Sequence, residues 1–228
     1  MLAVILLAIA AAALSSYALI HAELERQAWD RVDHGARAGL ALVEGETARL
    51  ADLATLAAQR PTLRRLAASG EAGALHDYLE TFRAGADLDQ VVVTLPDRQV
   101  VAASSPTISG ALVDRTDTPA IVALPGSDAG AAMVAGGQIL DEAGRQDLGT
   151  VTVVRLLDTS FLDELGQVTG LEYSLLLGGD RVATTLPAYP AAASGNNSAS
   201  PQRRFTAASQ PFYAVTAAVA MAPPGLDL

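Results

Sequence analysis

Six polar residues in otherwise apolar or small-residue surroundings are the side chains best suited to grip a small molecule: Arg155, Gln138, Tyr78, Ser104, Ser105 and Thr107. Arg155 interrupts the β-branched run from Leu148 to Leu156 and, as every second residue of a strand shares a face, lies with Val151 and Val153. A guanidinium there has the fork geometry to hold a carboxylate. The alternative is an edge or solvent-facing arginine held by an ion-pair partner, the commoner fate of a charged residue. Gln138 falls in the neighbouring strand and Tyr78 in a preceding helix. Ser104, Ser105 and Thr107 follow a strand, where successive backbone amides could form an anion nest. The competing reading for these five is routine satisfaction of loop and strand-end hydrogen bonds.

Catalytic chemistry finds no such footing. The histidines are His21, His34 and His76, and none belongs to an H-E-x-x-H pair. The sequence has no G-x-S-x-G elbow, no P-loop and no cysteine, so neither a catalytic residue nor a metal site is expected, and no cofactor. Gly178, Gly179 and Asp180 resemble the start of a cyclase signature, but Arg181 and Val182 follow, and the triplet reads as a hairpin turn. Asn196, Asn197 and Ser198 match a glycosylation sequon that carries little weight.

The elements that must position these residues follow from periodicity. Residues 1–20 hold no charge and as a helix would be about 30 Å long, matching a bilayer core, so a transmembrane helix is expected there, with a cleavable signal peptide as the rival. The absent basic flank before Leu2 and the end of the chain at Leu228, soon after the last strands, suggest a fragment, although the protein could also end there. A stalk helix over 21–60 should continue from the span, with a heptad-like seam at Ala36, Leu40, Val43, Thr47, Leu50, Ala54 and Ala57 that suits either a homodimer or packing on its own domain. Pro61 closes it. Two shorter helices are expected, Thr62 to Ala68 and Glu71 to Phe82, stopped by Gly70 and Gly85.

Beyond them the period changes to two. Hairpins are expected at Gln90 to Ser104, Ala131 to Leu156 and Leu171 to Thr185, with last strands at Arg204 to Ser209 and Phe212 to Met221. A short helix is expected from Pro119 to Leu124, one N-capped by Asp158, Thr159 or Ser160, and a surface loop over 186–202. The fold class is therefore α+β. A core over 61–170 is followed by strands in 171–228 that complete it or form a small membrane-proximal module.

A net charge of −10, with 25 acidic residues against 15 arginines and no lysine, argues against nucleic acid as a partner. The 228 residues leave little room for a separate enzyme domain.

Arg60 to Arg64, the strand and turn Val91 to Asp97, and the succession from Gly130 to Leu165 with its "DEAGR" turn and "FLDEL" helix together give the order of a long helix, short helices and an antiparallel sheet. This order resembles the Cache family of extracytoplasmic, PAS-like sensors over nearly the whole chain. The resemblance implies a membrane-anchored receptor domain of a histidine kinase, chemoreceptor or cyclase that binds a small molecule, a carboxylate being the candidate class, with the bilayer as a second partner through residues 1–20. A dimerisation or structural module without ligand is the alternative it leaves.

Overall fold

The computed structural model describes residues 2–97, 99–104, 118–124, 130–177, 180–186, 202–207 and 210–219, the side chains of 2–12, 104, 180, 202–207 and 210–212 excepted. Two compact units form, residues 1–40 with 198–218 and residues 41–197 with 219–228. A single helix, α1 (Leu2–Gln59), contributes to both.

In the first unit, β8 (Gln202–Ala207) and β9 (Gln210–Val215) form an antiparallel pair, and Trp29 of α1 meets the Tyr213 ring edge-on with centroids 4.9 Å apart. Leu14, Tyr17, Leu19, Ile20 and Leu24 are exposed on α1. Among the described residues no helix is long and apolar enough to cross a membrane. The side chains of residues 2–12, which carry much of the expected span, lie outside the description.

The second unit is built on a five-stranded antiparallel sheet in the order β2-β1-β5-β4-β3. Its strands are β1 (Gln90–Thr94), β2 (Val100–Ser104), β3 (Ala120–Ala123), β4 (Ala131–Leu140) and β5 (Asp147–Leu156). Strand alternation gives the sheet two faces. One carries Val91, Val93, Val101, Ala103, Met133, Ala135, Val151 and Val153, and packs with Leu50, Ala54, Ala57, Leu63, Leu75 and Leu79 of the helices into one core. Those helices are α1, α2 (Pro61–Ser69) and α3 (Ala72–Ala86). The far face holds a smaller cluster, Val122, Ala132, Val134 and Val154.

Helix α1 comes very close to β4. A Cβ on Gly137 would stand 2.6 Å from the Ala54 carbonyl oxygen, so only glycine leaves room for the helix backbone. The inner half of the expected heptad seam is thereby used inside the chain: Leu50, Ala54 and Ala57 are buried in the core and Val43 packs against it. Pro61 begins α2 from an extended Arg60, and Gly70 closes it in the left-handed region. Helix α3 passes the expected stop at Gly85 and ends on Asp87, also left-handed at φ 53°.

The segment expected as a short helix from Pro119 to Leu124 is instead strand β3. Its β-branched Ile121 and Val122 pair with Met133 and Ala132 of β4, burying one side chain on each face of the sheet. Helix α4 (Thr159–Thr169) starts as expected at Asp158, whose carboxylate accepts the Phe161 amide, and stops at Gly170. A small pair, β6 (Ser174–Leu177) with β7 (Asp180–Thr184), follows. The expected loop at 186–202, the sequon, and Gly178 and Gly179 of the turn lie almost wholly outside the described residues.

The β4–β5 turn is held by Asp141, whose carboxylate accepts the amides of Arg145 and Gln146 at 2.6 and 3.1 Å. These bonds favour the ionised form and lower its pKa, the Arg145 amide contributing most. The support is therefore present above the ordinary carboxylate range and lost as pH falls through the depressed value. Protection factors of the Arg145 and Gln146 amides, exchange rates referred to the unstructured rate at each pH, should fall on acidification, and Asp141→Ala should remove that pH dependence. Equilibrium denaturation tests the helix seat. Gly137→Ala should cost about 1–3 kcal/mol, whereas Gly45→Ala, in an α1 position with nothing within 4 Å, should add about 0.5–1 kcal/mol.

Candidate functional site

The two faces of the sheet separate the polar residues. On the far face, three cross-strand rows run side by side. Ser104, Gln90, Val154, Val134 and Ala120 occupy one; Ala102, Val92, Thr152 and Gly136 the next; Val100, Thr94, Thr150 and Gln138 the third. Gln90 and Thr152 are 7% and 1% exposed, yet among the described residues Gln90 Oε1, Thr152 Oγ1 and the buried Thr94 Oγ1 have no hydrogen-bond partner. A buried polar group without a partner costs about 1–3 kcal/mol. The three occupy one face of the adjacent strands β1 and β5, with Thr152 opposite Val92 midway between Gln90 and Thr94, and form a row along the strands that is uncharged and buried. Beside it, Ala102 and Gly136 end the middle row with almost no side-chain bulk.

Of the residues singled out in the sequence, Gln138 belongs to this face and is exposed, and Ser104 occupies the register position opposite Gln90. Ser105 and Thr107 lie outside the described residues. Gln90, Thr94 and Thr152 were not among the candidates. Their signal was present as a period-two spacing of Gln90 with Thr94 and of Thr150 with Thr152 in otherwise valine-rich strands.

Arg155 is on the opposite, helix-bearing face, paired in register with Met133. It is 9% exposed, and both terminal guanidinium nitrogens are engaged. Nη1 donates to the Asp87 carbonyl at 2.8 Å and to Asp87 Oδ2 at 2.7 Å, and Nη2 to both carboxylate oxygens of Glu164 at 3.0 and 2.9 Å. The guanidinium carbon also stands 6.0 Å from the Phe161 ring centroid. Burial opposes its charge, and the Asp87 hydrogen bond and Glu164 charge outweigh that, leaving the pKa above its ordinary value. Next to it, Arg49 of α1 forks onto Glu46 at 2.8 and 2.6 Å and donates to the Ala86 carbonyl. The Glu46 hydrogen bonds raise the Arg49 pKa. A cleft of about 330 Å³ opens here between Leu42, Phe161 and Val168.

Of the alternative weighed for Arg155 the ion pair is present, but the edge or solvent-facing position is not: the residue is buried on the central strand β5. Its fork ties α3 and α4 to β5, while the Arg49 bond to Ala86 ties in α1. Tyr78 is on this side too, lining a second cleft of about 530 Å³ with its hydroxyl buried and unpartnered. His76 Nδ1 lies 2.9 Å from the Ala102 carbonyl oxygen and His34 Nδ1 2.6 Å from that of Asp30, while the His21 ring lies 6.1 Å from that of Tyr17. Among the described residues no cluster of three or more acidic, histidine or cysteine side chains could hold a metal ion.

Against known proteins, residues 25–215 match the family model described as the double sensory domain of two-component sensor kinase. No curated protein matches. Among solved structures, the periplasmic domain of Vibrio cholerae LuxQ is similar at a TM-score of 0.60 and 13% identity, covering 81% of this chain and 99% of that one. A second structure of that domain gives 0.58 and 15%, over 81% and 97%. The ligand-binding domain of the Campylobacter jejuni chemoreceptor Tlp3, in complex with 4-methylisoleucine, gives 0.48 and 9% over 82% of each chain. At these identities the likeness to LuxQ concerns the fold alone, and the weaker likeness to Tlp3 carries no argument.

The Arg155 network has an asymmetry that denaturation can read. The cation's side chain is 11% exposed, those of Asp87 and Glu164 87% and 57%. Asp87→Asn or Glu164→Gln alone should cost about 0.5–1 kcal/mol, because the remaining partner still neutralises the arginine. Together they leave a buried guanidinium without a carboxylate, and the double variant should lose about 1 kcal/mol or more beyond the sum.

Proposed function

Because this chain belongs to the family of double sensory domains of two-component sensor kinases, we propose that it senses a small molecule on the far face of its sheet, over Gln90, Thr94 and Thr152. The carrying observation is the set of three buried, unpartnered polar atoms on that face. A ligand that hydrogen-bonds them recovers in the bound state what the free protein forgoes, so binding energy is concentrated at this patch. Gln138, Ser104, Ser105 and Thr107 flank it in register or in sequence and are the residues that would select the ligand's outer groups. Since the fork of Arg155 is occupied on the other face, a carboxylate ligand would be read here by hydroxyl, amide and backbone groups rather than by that arginine.

Residues 1–20 anchor the domain in the membrane, with the sheet on the extracytoplasmic side, and α1 carries the signal toward a cytoplasmic output domain. The physical requirement is that ligand bind one arrangement of the sheet and α1 more tightly than another. Residues outside the inner half of the seam, Ala36 and Leu40, are left for self-association of two stalks into a homodimer. The role is sensory; catalysis belongs to the output domain.

Thermal unfolding against a library of carboxylates, amino acids, amines and sugars tests the reading. A ligand at 100 times its dissociation constant should stabilise by about 2.7 kcal/mol. Thr152→Val should leave the free protein as stable or up to about 1 kcal/mol more so, since it deletes an unsatisfied hydroxyl, while it and Gln90→Leu shrink the ligand shift. A shift untouched by both substitutions would place the site elsewhere. Silence across the library would favour a structural or dimerisation module.

A further inference from the structure

The cleft between α1 and α3 has its own chemistry, on the face of the sheet opposite the patch just described. Its walls include Leu53, Phe82, Arg60, Arg49, Thr81 and Tyr78. Arg49 is committed to Glu46, and Asp87 at the rim to Arg155. Arg60 is different: its guanidinium stacks 5.0 Å from the Phe82 ring centroid and has no acidic partner among the described residues. Tyr78, which lines the same cleft, has a buried hydroxyl with no hydrogen-bond partner among the described residues. One uncommitted cation, one unsatisfied hydroxyl and two apolar walls meet in about 530 Å³, within the size range of small-molecule sites.

We propose that this cleft is a second binding site, for a small monocarboxylic acid with an apolar body. The carboxylate pairs with Arg60 and accepts a hydrogen bond from the Tyr78 hydroxyl, and the body lies against Leu53 and Phe82. An arginine already stacked on an aromatic ring is preorganised for such a pair, because its planar fork loses little further freedom on binding. Bidentate hydrogen bonding makes the acid strongly preferred over its neutral amide. The site goes beyond the sensory reading above and does not depend on it. Its occupant would bridge α1 and α3 near the end where α3 meets Asp87.

Calorimetric titration of the full chain with benzoate and hexanoate, and with benzamide as the neutral counterpart, decides the matter. Both acids should bind, with benzamide at least tenfold weaker than benzoate. Arg60→Gln should weaken the acids tenfold or more, and Arg65→Gln, which removes an exposed arginine of α2 outside the cleft, should change nothing. Tyr78→Phe should weaken the acids several-fold without lowering the melting temperature of the free chain, because the lost hydroxyl had no partner. Failure of both acids to bind, equal binding of acid and amide, or unchanged affinity in Arg60→Gln would overturn the proposal. A melting temperature lowered by Tyr78→Phe with acid affinity intact would do so as well, by assigning the hydroxyl to the fold.

Discussion

The contact on which the rest of the structure depends is the approach of α1 to β4, where Gly137 admits the backbone of Ala54. A helix normally packs on a sheet through intervening side chains. Here the helix offers Ala54, Ala57 and Ala58, and the strand offers hydrogen at Gly137, so the two backbones close to near contact. That seat puts Leu50 over the sheet and aligns Arg49 with the end of α3. It also covers one face of the sheet with helices, the two clefts lying among them. What the helices occupy on one side leaves the other side as the face where unsatisfied polar groups are gathered.

Two kinds of polar chemistry sort themselves by strand parity. On the helix-bearing face charge is neutralised: Arg155 is held by two carboxylates and a backbone carbonyl, and Arg49 by Glu46 and the Ala86 carbonyl. On the far face the described residues supply no such compensation for Gln90, Thr94 and Thr152. Residues that complete their bonds within the molecule stabilise it, and residues that do not are the ones with binding capacity to spare. The left-handed Asp87 belongs to the first group, since its backbone and side chain both converge on Nη1 of Arg155.

Much of this was legible in the sequence because it follows from local rules. Pro61, Gly70, Asp158 and Gly170 punctuate helices through backbone conformation or a side-chain cap, and the β4–β5 hairpin shows plainly in its alternation and its turn. Strand β3 was not legible, because Pro119 and a short apolar run suit a helix start equally well until β4 supplies hydrogen-bond partners. Arg155 was recognised as unusual and placed on the correct face, but its partners are 68 and 9 residues away and no spacing rule could name them. Gln90 and Thr152 were overlooked because each looks ordinary in its own strand. Only the pairing of β1 with β5 makes them neighbours.

That pairing has a consequence for the order in which the molecule can be built. Strand β5 is central, bonded to β1 on one side and β4 on the other, yet it is made some sixty residues after β1. As the polypeptide emerges from its N-terminus, α1 has no β4 to sit on and the β1–β2 hairpin keeps an open edge until residue 156 has appeared. Loop closure over that separation must precede the contacts that reward it, which makes assembly slow and late. A protein wired in this way stays loosely organised while most of its length is still being delivered, and it locks in one step when the middle strand arrives.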